Sequence, residues 1–207
     1  MGEKHFLEMF KDDVNTNIGN QLKVIKLFPS FILKVDVVVF TSEVTLAEVE
    51  GAFKGFKRDK SPGPDGWPVE FFLWFFDLVG KDLLRVVELL RIEGKVIKSI
   101  NSIFFTLIPK CKNPKTFADF QSISLYNLIY KLISKITANG LNPFLDKAIS
   151  AKQFRFLKNR QILEPMGITQ EILHSIKTKK LKALVLKMDL VKAFDIVNWA
   201  FLRLILL

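Results

Sequence analysis

A chain of 207 residues can hold one large domain, or a domain with an arm, around a proper core. With 49% apolar residues and 20 phenylalanines, disorder throughout is excluded. Lysine and arginine number 31 against 21 acidic residues, a formal charge of +10 and a pI near 9.6, so the field of the chain attracts phosphate backbones or anionic membrane surfaces.

A membrane partner finds little support. The longest apolar run, FFLWFF at 71–76, falls far short of the ~20 residues of a spanning helix. Glu3, Lys4, Glu8, Lys11 and Asp12 interrupt any apolar leader, and Phe6 stands where a myristoylation signal needs Ser or Thr. The single Cys111 rules out an internal disulfide and suits a reducing, intracellular compartment, the nucleus included. No Cys/His grouping offers a zinc site.

In chain order, residues 1–42 read as an arm, in which KVDVVVF at 34–40 has strand composition. Thr45 and Glu48 form a T-x-x-E capping box, and Leu46, Val49, Phe53 and Phe56 recur at helical spacing. SPGPDGWP, 61–68, holds three prolines and two glycines and precludes a helix or central strand. Pro68 then opens a helix whose Phe71–Phe76 run is apolar on nearly every face and is expected to be buried. A second amphipathic segment follows Gly80 to about Arg91.

IFFTLIP at 103–109 reads as a strand halted by proline, followed by the polar loop KCKNPKTFADF and a short SISL segment. Asn127 to about Asn139 is helical, with Leu128, Leu132 and Ile136 as a stripe and Lys131 and Lys135 on the other side. Pro165–Lys177 predicts a helix on Ile168, Ile172 and Ile176. KALVLKM at 182–188 predicts a second strand. A last helix is expected from near Leu190, carrying Ala193, Phe194, Val197, Phe201 and Leu204. The class is α+β, helix-rich with short antiparallel strands.

Asp189 stands where the second expected strand gives way to this helix. A carboxylate projecting there from an apolar wall suits Mg²⁺, which takes oxygen ligands and usually one or two carboxylates. The same position is also a favoured helix N-cap, and the stretch alone favours the cap. Asp195 lies six residues on, a rotation of about 600° or about 240° net, so the two carboxylates do not share a helix face. Asp195 reads as a structural hydrogen-bonder beside the site.

Five blocks occur in one order: DKSPGPDGW (59–67), LIPK (107–110), SISLYNLIYKLISKI (122–136), QFRFLKNRQ (153–161) and LKMDLVKAFDIVNW (186–199). Over roughly residues 43–207 the series resembles the first part of the reverse transcriptase domain of LINE-type (non-LTR) retrotransposons, particularly plant copies. The resemblance implies right-hand polymerase fingers and the start of a palm built on a small antiparallel sheet, with 1–42 as the preceding spacer. It implies two-metal nucleotidyl transfer with Mg²⁺ as cofactor, and RNA template, DNA primer and deoxynucleoside triphosphates as partners.

Residue by residue, Asp189 matches the first catalytic aspartate and the carbonyl of Leu190 a further metal ligand. Phe194 matches the aromatic gate beneath the sugar, and its helical spacing also fits a core aromatic. Lys110 matches a fingers lysine near the triphosphate. Gln121 stands where the family's R-P-I-S-L block carries arginine. Lys60, Lys112, Gln153, Lys158 and Arg160 fall at the nucleic-acid-facing blocks.

The departures are specific. Neutral Gln121 cannot form arginine's bidentate phosphate contact. Arg155 and Asn159 replace two glycines, Val191 and Ile196 replace basic or polar residues, and Gly140 occupies a usual arginine position. The family's aromatic-Ala-Asp-Asp turn is absent from the sequence. The chain therefore reads as a truncated domain, catalytically incomplete and inactive by itself. The alternative reading is a non-catalytic module whose basic loops (Lys57, Arg58, Lys60; Lys110, Lys112, Lys115; Lys177, Lys179, Lys180) contact phosphates with little base preference.

Overall fold

The computed structural model describes residues 17–27, 34–150, 152–154, 160–161, 163–188 and 197–206. The chain divides into two compact units, Ile32–Ile149 and a second made of Met1–Phe31 with Ser150–Leu207. Among the described residues it is helix-rich, with one two-stranded antiparallel sheet, the α+β class expected.

In the second unit, α1 (Ile18–Ile25) is capped by the Asn17 side chain. In the first, α2 (Lys34–Phe40), α3 (Leu46–Lys54), α4 (Val69–Trp74) and α5 (Phe76–Glu93) precede the strands β1 (Ile103–Pro109) and β2 (Phe120–Tyr126). Helix α6 (Leu128–Ala148) then closes this unit. The second unit resumes with α7 (Leu163–Thr178) and α8 (Trp199–Leu206).

The capping box forms as its sequence requires. The Glu48 N–H donates to Thr45 Oγ1 at 3.2 Å and the Thr45 N–H to Glu48 Oε2 at 2.7 Å. The helix it starts lies at the centre of the core: Val49, Ala52 and Phe53 are buried with Val69, Phe72, Leu83, Val87, Leu128 and Leu132. Phe53 stacks on Phe72 with ring centroids 5.3 Å apart. The segment leading into α3 is tied to α5 by a clasp. Glu88 accepts the Val44 N–H at 2.6 Å and pairs with Arg91 at 2.6 Å, while Arg91 Nη1 donates to the Thr41 carbonyl at 2.9 Å.

Three expectations are corrected. KVDVVVF is helix α2, not a strand. The Phe40 ring meets Phe144 of α6 edge-on at 6.4 Å and lies over Gly140, where a Cβ would stand 3.3 Å from it. Packing on a helix thus overrides β-branched composition where no strand edge is offered. The Phe71–Phe76 run is buried on one side only. The helix breaks at Phe75, Val69 and Phe72 face the core, and Trp74 is 78% exposed. KALVLKM forms no strand: residues 182–188 have no regular structure, and Leu184 is 94% exposed. No strand among the described residues pairs with it, and apolar composition without a partner makes no ladder.

The other elements follow the pattern. β1 is the expected strand, and α7 spans the expected Pro165–Lys177. The helix begun at Leu128 runs beyond Asn139, through Pro143, to Ala148. The last helix starts at Trp199 after an Asn198 cap, whose Oδ1 accepts the Phe201 N–H at 2.8 Å, so Val197 precedes it. Residues 189–196, where that helix was expected to begin, lie outside the described residues. Among the described residues no helix is long and apolar enough to cross a membrane.

Candidate nucleotide and nucleic-acid interface

Two glycines and one buried amide hold the sequence blocks of the first unit together. The turn Gly63–Pro64–Asp65–Gly66 closes with the Gly66 N–H donating to the Gly63 carbonyl at 3.0 Å, and Gly66 takes φ +72°. Gly63 lies directly on the junction between β2 and α6. A Cβ there would meet backbone atoms of Tyr126 and Asn127 at 2.5 Å, so only glycine fits. Asn127, 5% exposed, accepts the Asp65 N–H on Oδ1 at 3.0 Å and donates Nδ2 to the Ser99 carbonyl at 2.8 Å. The proline-rich loop, the segment before β1 and the end of β2 therefore meet at one side chain. Sequence reasoning assigned Asn127 only to the start of a helix; its long-range partners leave no local signal.

The hairpin projects from this joint. Its register pairs Ile108 with Gln121 and Pro109 with Phe120, and the Lys110 N–H donates to the Asp119 carbonyl at 2.8 Å. Directly paired residues share a face, and the next residue on that face after Ile108 is Lys110. The structure thus brings together Lys110 and Gln121, both exposed, at the end of the hairpin. The same face carries exposed Phe104, Ile108 and Ile123.

The turn beyond carries Lys110, Lys112 and Lys115 against one carboxylate, Asp119. Oδ2 of Asp119 accepts the Lys115 N–H at 2.9 Å, the Thr116 N–H at 2.8 Å and the Thr116 hydroxyl at 3.0 Å. These donors, the Thr116 N–H foremost, hold its carboxyl below the usual range against a small opposing effect of burial. Lys110 Nζ also donates to the Ala118 carbonyl at 3.2 Å.

Lys60 is exposed in the loop after α3. There Asp59 has φ +55° and its N–H donates to Glu70 Oε1 at 2.8 Å, the bond that chiefly lowers the Glu70 carboxyl. In the second unit, Arg160 Nη1 donates to the carbonyls of Ser150 at 2.5 Å and Gln153 at 2.7 Å. Gln153 and Arg160 are thereby brought together, with the guanidinium bracing a turn. Lys158, Asp189, Leu190, Phe194 and Asp195 lie outside the described residues. Among the described residues no group of three or more His, Cys, Asp or Glu side chains could hold a metal ion.

Residues 108–203 match the family described as reverse transcriptase (RNA-dependent DNA polymerase), from within β1 into α8. The chain is also similar to a protein of Xenopus laevis named the transposon TX1 uncharacterized 149 kDa protein. The two are 29% identical over 159 residues, which cover 77% of this chain and 12% of the relative, so the chain spans a small part of that relative's length.

Proposed function

We propose that this chain carries part of a reverse transcriptase domain of the non-LTR retrotransposon type, residues 43–207 being the fingers and the start of the palm of an RNA-directed DNA polymerase and 1–42 a spacer arm. The observation that carries this reading is the hairpin register, which sets Lys110 and Gln121 on one exposed face within the matched segment. There a lysine can neutralise phosphate charge and a neutral amide can donate a hydrogen bond, though without the fork of an arginine.

In this reading Lys110 and Gln121 meet the triphosphate of a deoxynucleotide, and Phe194 has the role of the family's aromatic gate for the sugar. Lys60, Lys112, Gln153, Lys158 and Arg160 are the residues assigned to RNA template and DNA primer, and Asp195 has a structural rather than a catalytic role. The carboxylate of Asp189 and the carbonyl of Leu190 are hard oxygen donors that would hold Mg²⁺. The bound ion would supply charge neutralisation at the phosphates and activation of the attacking hydroxyl. Two such donors are too few for the family's pair of metals. No aromatic-Ala-Asp-Asp tetrapeptide occurs in these 207 residues to add carboxylates. The action is placed inside the cell, where template and nucleotides are found.

The test uses the 207-residue chain with an RNA template, a DNA primer, deoxynucleotides and Mg²⁺. Salt-dependent binding without primer extension is expected, and Asp189→Asn should leave affinity unchanged or slightly raised, since it removes a negative charge. Extension by this chain alone would contradict the incomplete site. Absence of binding at low salt would contradict the polymerase reading itself.

A further inference from the structure

We infer that Asp119 is a positioning residue for anion capture, its carboxylate ordering the 110–119 loop so that Lys110, Lys112 and Lys115 meet a nucleotide triphosphate as one group. The inference rests on the placement of Lys110 at the triphosphate and adds a residue that no sequence block singled out.

Three ammonium groups within six residues repel one another, and lysine side chains are flexible, so a free loop of this composition would splay. Here both ends are fastened to two adjacent residues. Asp119 accepts the Lys115 and Thr116 N–H groups and the Thr116 hydroxyl, at 2.8 to 3.0 Å, and its carbonyl accepts the Lys110 N–H at 2.8 Å. The Ala118 carbonyl takes the Lys110 ammonium at 3.2 Å. Bonds to an ionised acceptor are roughly twice as strong as neutral ones, and the lowered Asp119 carboxyl is ionised at neutral pH.

No residue of the loop belongs to the buried core: Lys110, Cys111, Lys112, Asn113, Lys115 and Thr116 are exposed, and Pro114, Phe117 and Asp119 are half-buried. A carboxylate that orders an exposed cationic loop contributes preorganisation, which lowers the entropy lost when an anion is bound.

Electrostatics alone and positioning predict opposite signs. Removing an acidic group beside an anion site should tighten binding by simple Coulomb attraction. Positioning predicts that Asp119→Ala weakens it. The experiment measures the dissociation constant of a deoxynucleoside triphosphate on the full chain by calorimetry for the wild type, Lys110→Gln, Asp119→Ala and the double variant. Asp119→Ala is expected to weaken binding by about twofold to tenfold, the range for having to immobilise one flexible side chain on binding. The double variant should be no weaker than Lys110→Gln alone, because Asp119 acts through the lysine. A nitroxide on Cys111, the only cysteine and exposed, should show a sharper, more mobile line shape in Asp119→Ala while the thermal midpoint stays unchanged.

Thr116→Val removes one bond to the carboxylate and keeps the charge. It should weaken binding in the same direction by a smaller factor, and it serves if Asp119→Ala does not fold. Equal or tighter binding by Asp119→Ala, or losses that add in the double variant, would overturn the inference and leave the polymerase reading standing. A Lys110→Gln variant with wild-type affinity would overturn both.

Discussion

Helices α3 and α7 carry comparable apolar stripes and have opposite fates. Val49, Ala52 and Phe53 of α3 are buried, whereas α7 buries none of its residues, and Ile168 and Ile172 remain 48% and 53% exposed. The difference lies in what each faces. Within its own unit α3 meets α4, α5 and α6, while the exposed segment 181–188 follows α7. Periodicity specifies an element and the face it offers; burial also needs a second apolar face to receive it.

The sharpest way to break this comparison is to truncate one side chain in each helix. Phe53→Ala should destabilise the Ile32–Ile149 unit by about 3–5 kcal/mol, the range for deleting a fully buried aromatic. Ile172→Ala should move stability by no more than about 0.5 kcal/mol, as surface substitutions do. Denaturant midpoints of the two variants give the contrast, and similar values would show that α7 is buried in solution.

A smaller effect is expected at the joint that holds the hairpin to the helical core. Asn127→Ala leaves the Asp65 N–H and the Ser99 carbonyl without their partner. It should cost about 1–3 kcal/mol, read from the same midpoints. Wild-type stability would mean that the joint is held by Gly63 alone.

The smallest effect concerns the Glu88 clasp. Arg91, opposed by burial and helped by the Val44 N–H, holds the Glu88 carboxyl below its ordinary value of 4.5. A depressed carboxyl contributes stability that is present above its unfolded value and is lost as pH falls through the folded one. Acid should therefore erode the wild type below about pH 4.5, and Glu88→Gln should flatten that part of the stability curve. An unchanged acid limb would remove the clasp from the account.

What could be read from the sequence is what chemistry dictates locally. Thr45 and Glu48 lie three residues apart and announce their helix. The proline-glycine run at 61–68 forbids regular structure, and IFFTLIP needs only its partner to become β1. Features set by distant residues were hidden. The Phe40 ring packs on a helix that begins 88 residues later, so its β-branched neighbours became helical. Asn127 binds residues 28 and 62 positions away, and no local pattern marks it. Of the site, Lys110 and Gln121 were named from sequence blocks, but their shared face follows from the strand register. The anchoring role of Asp119 appears only once the loop is closed.

The most direct test of the central claim follows the backbone amides of the 207-residue chain by NMR as a deoxynucleoside triphosphate is added. Shifts concentrated at Lys110 and Gln121, with Lys115 and Thr116 moving and α7 silent, are the predicted result. Shifts confined to residues 163–188, or none at all, would contradict the assignment of the hairpin end as the nucleotide-facing surface.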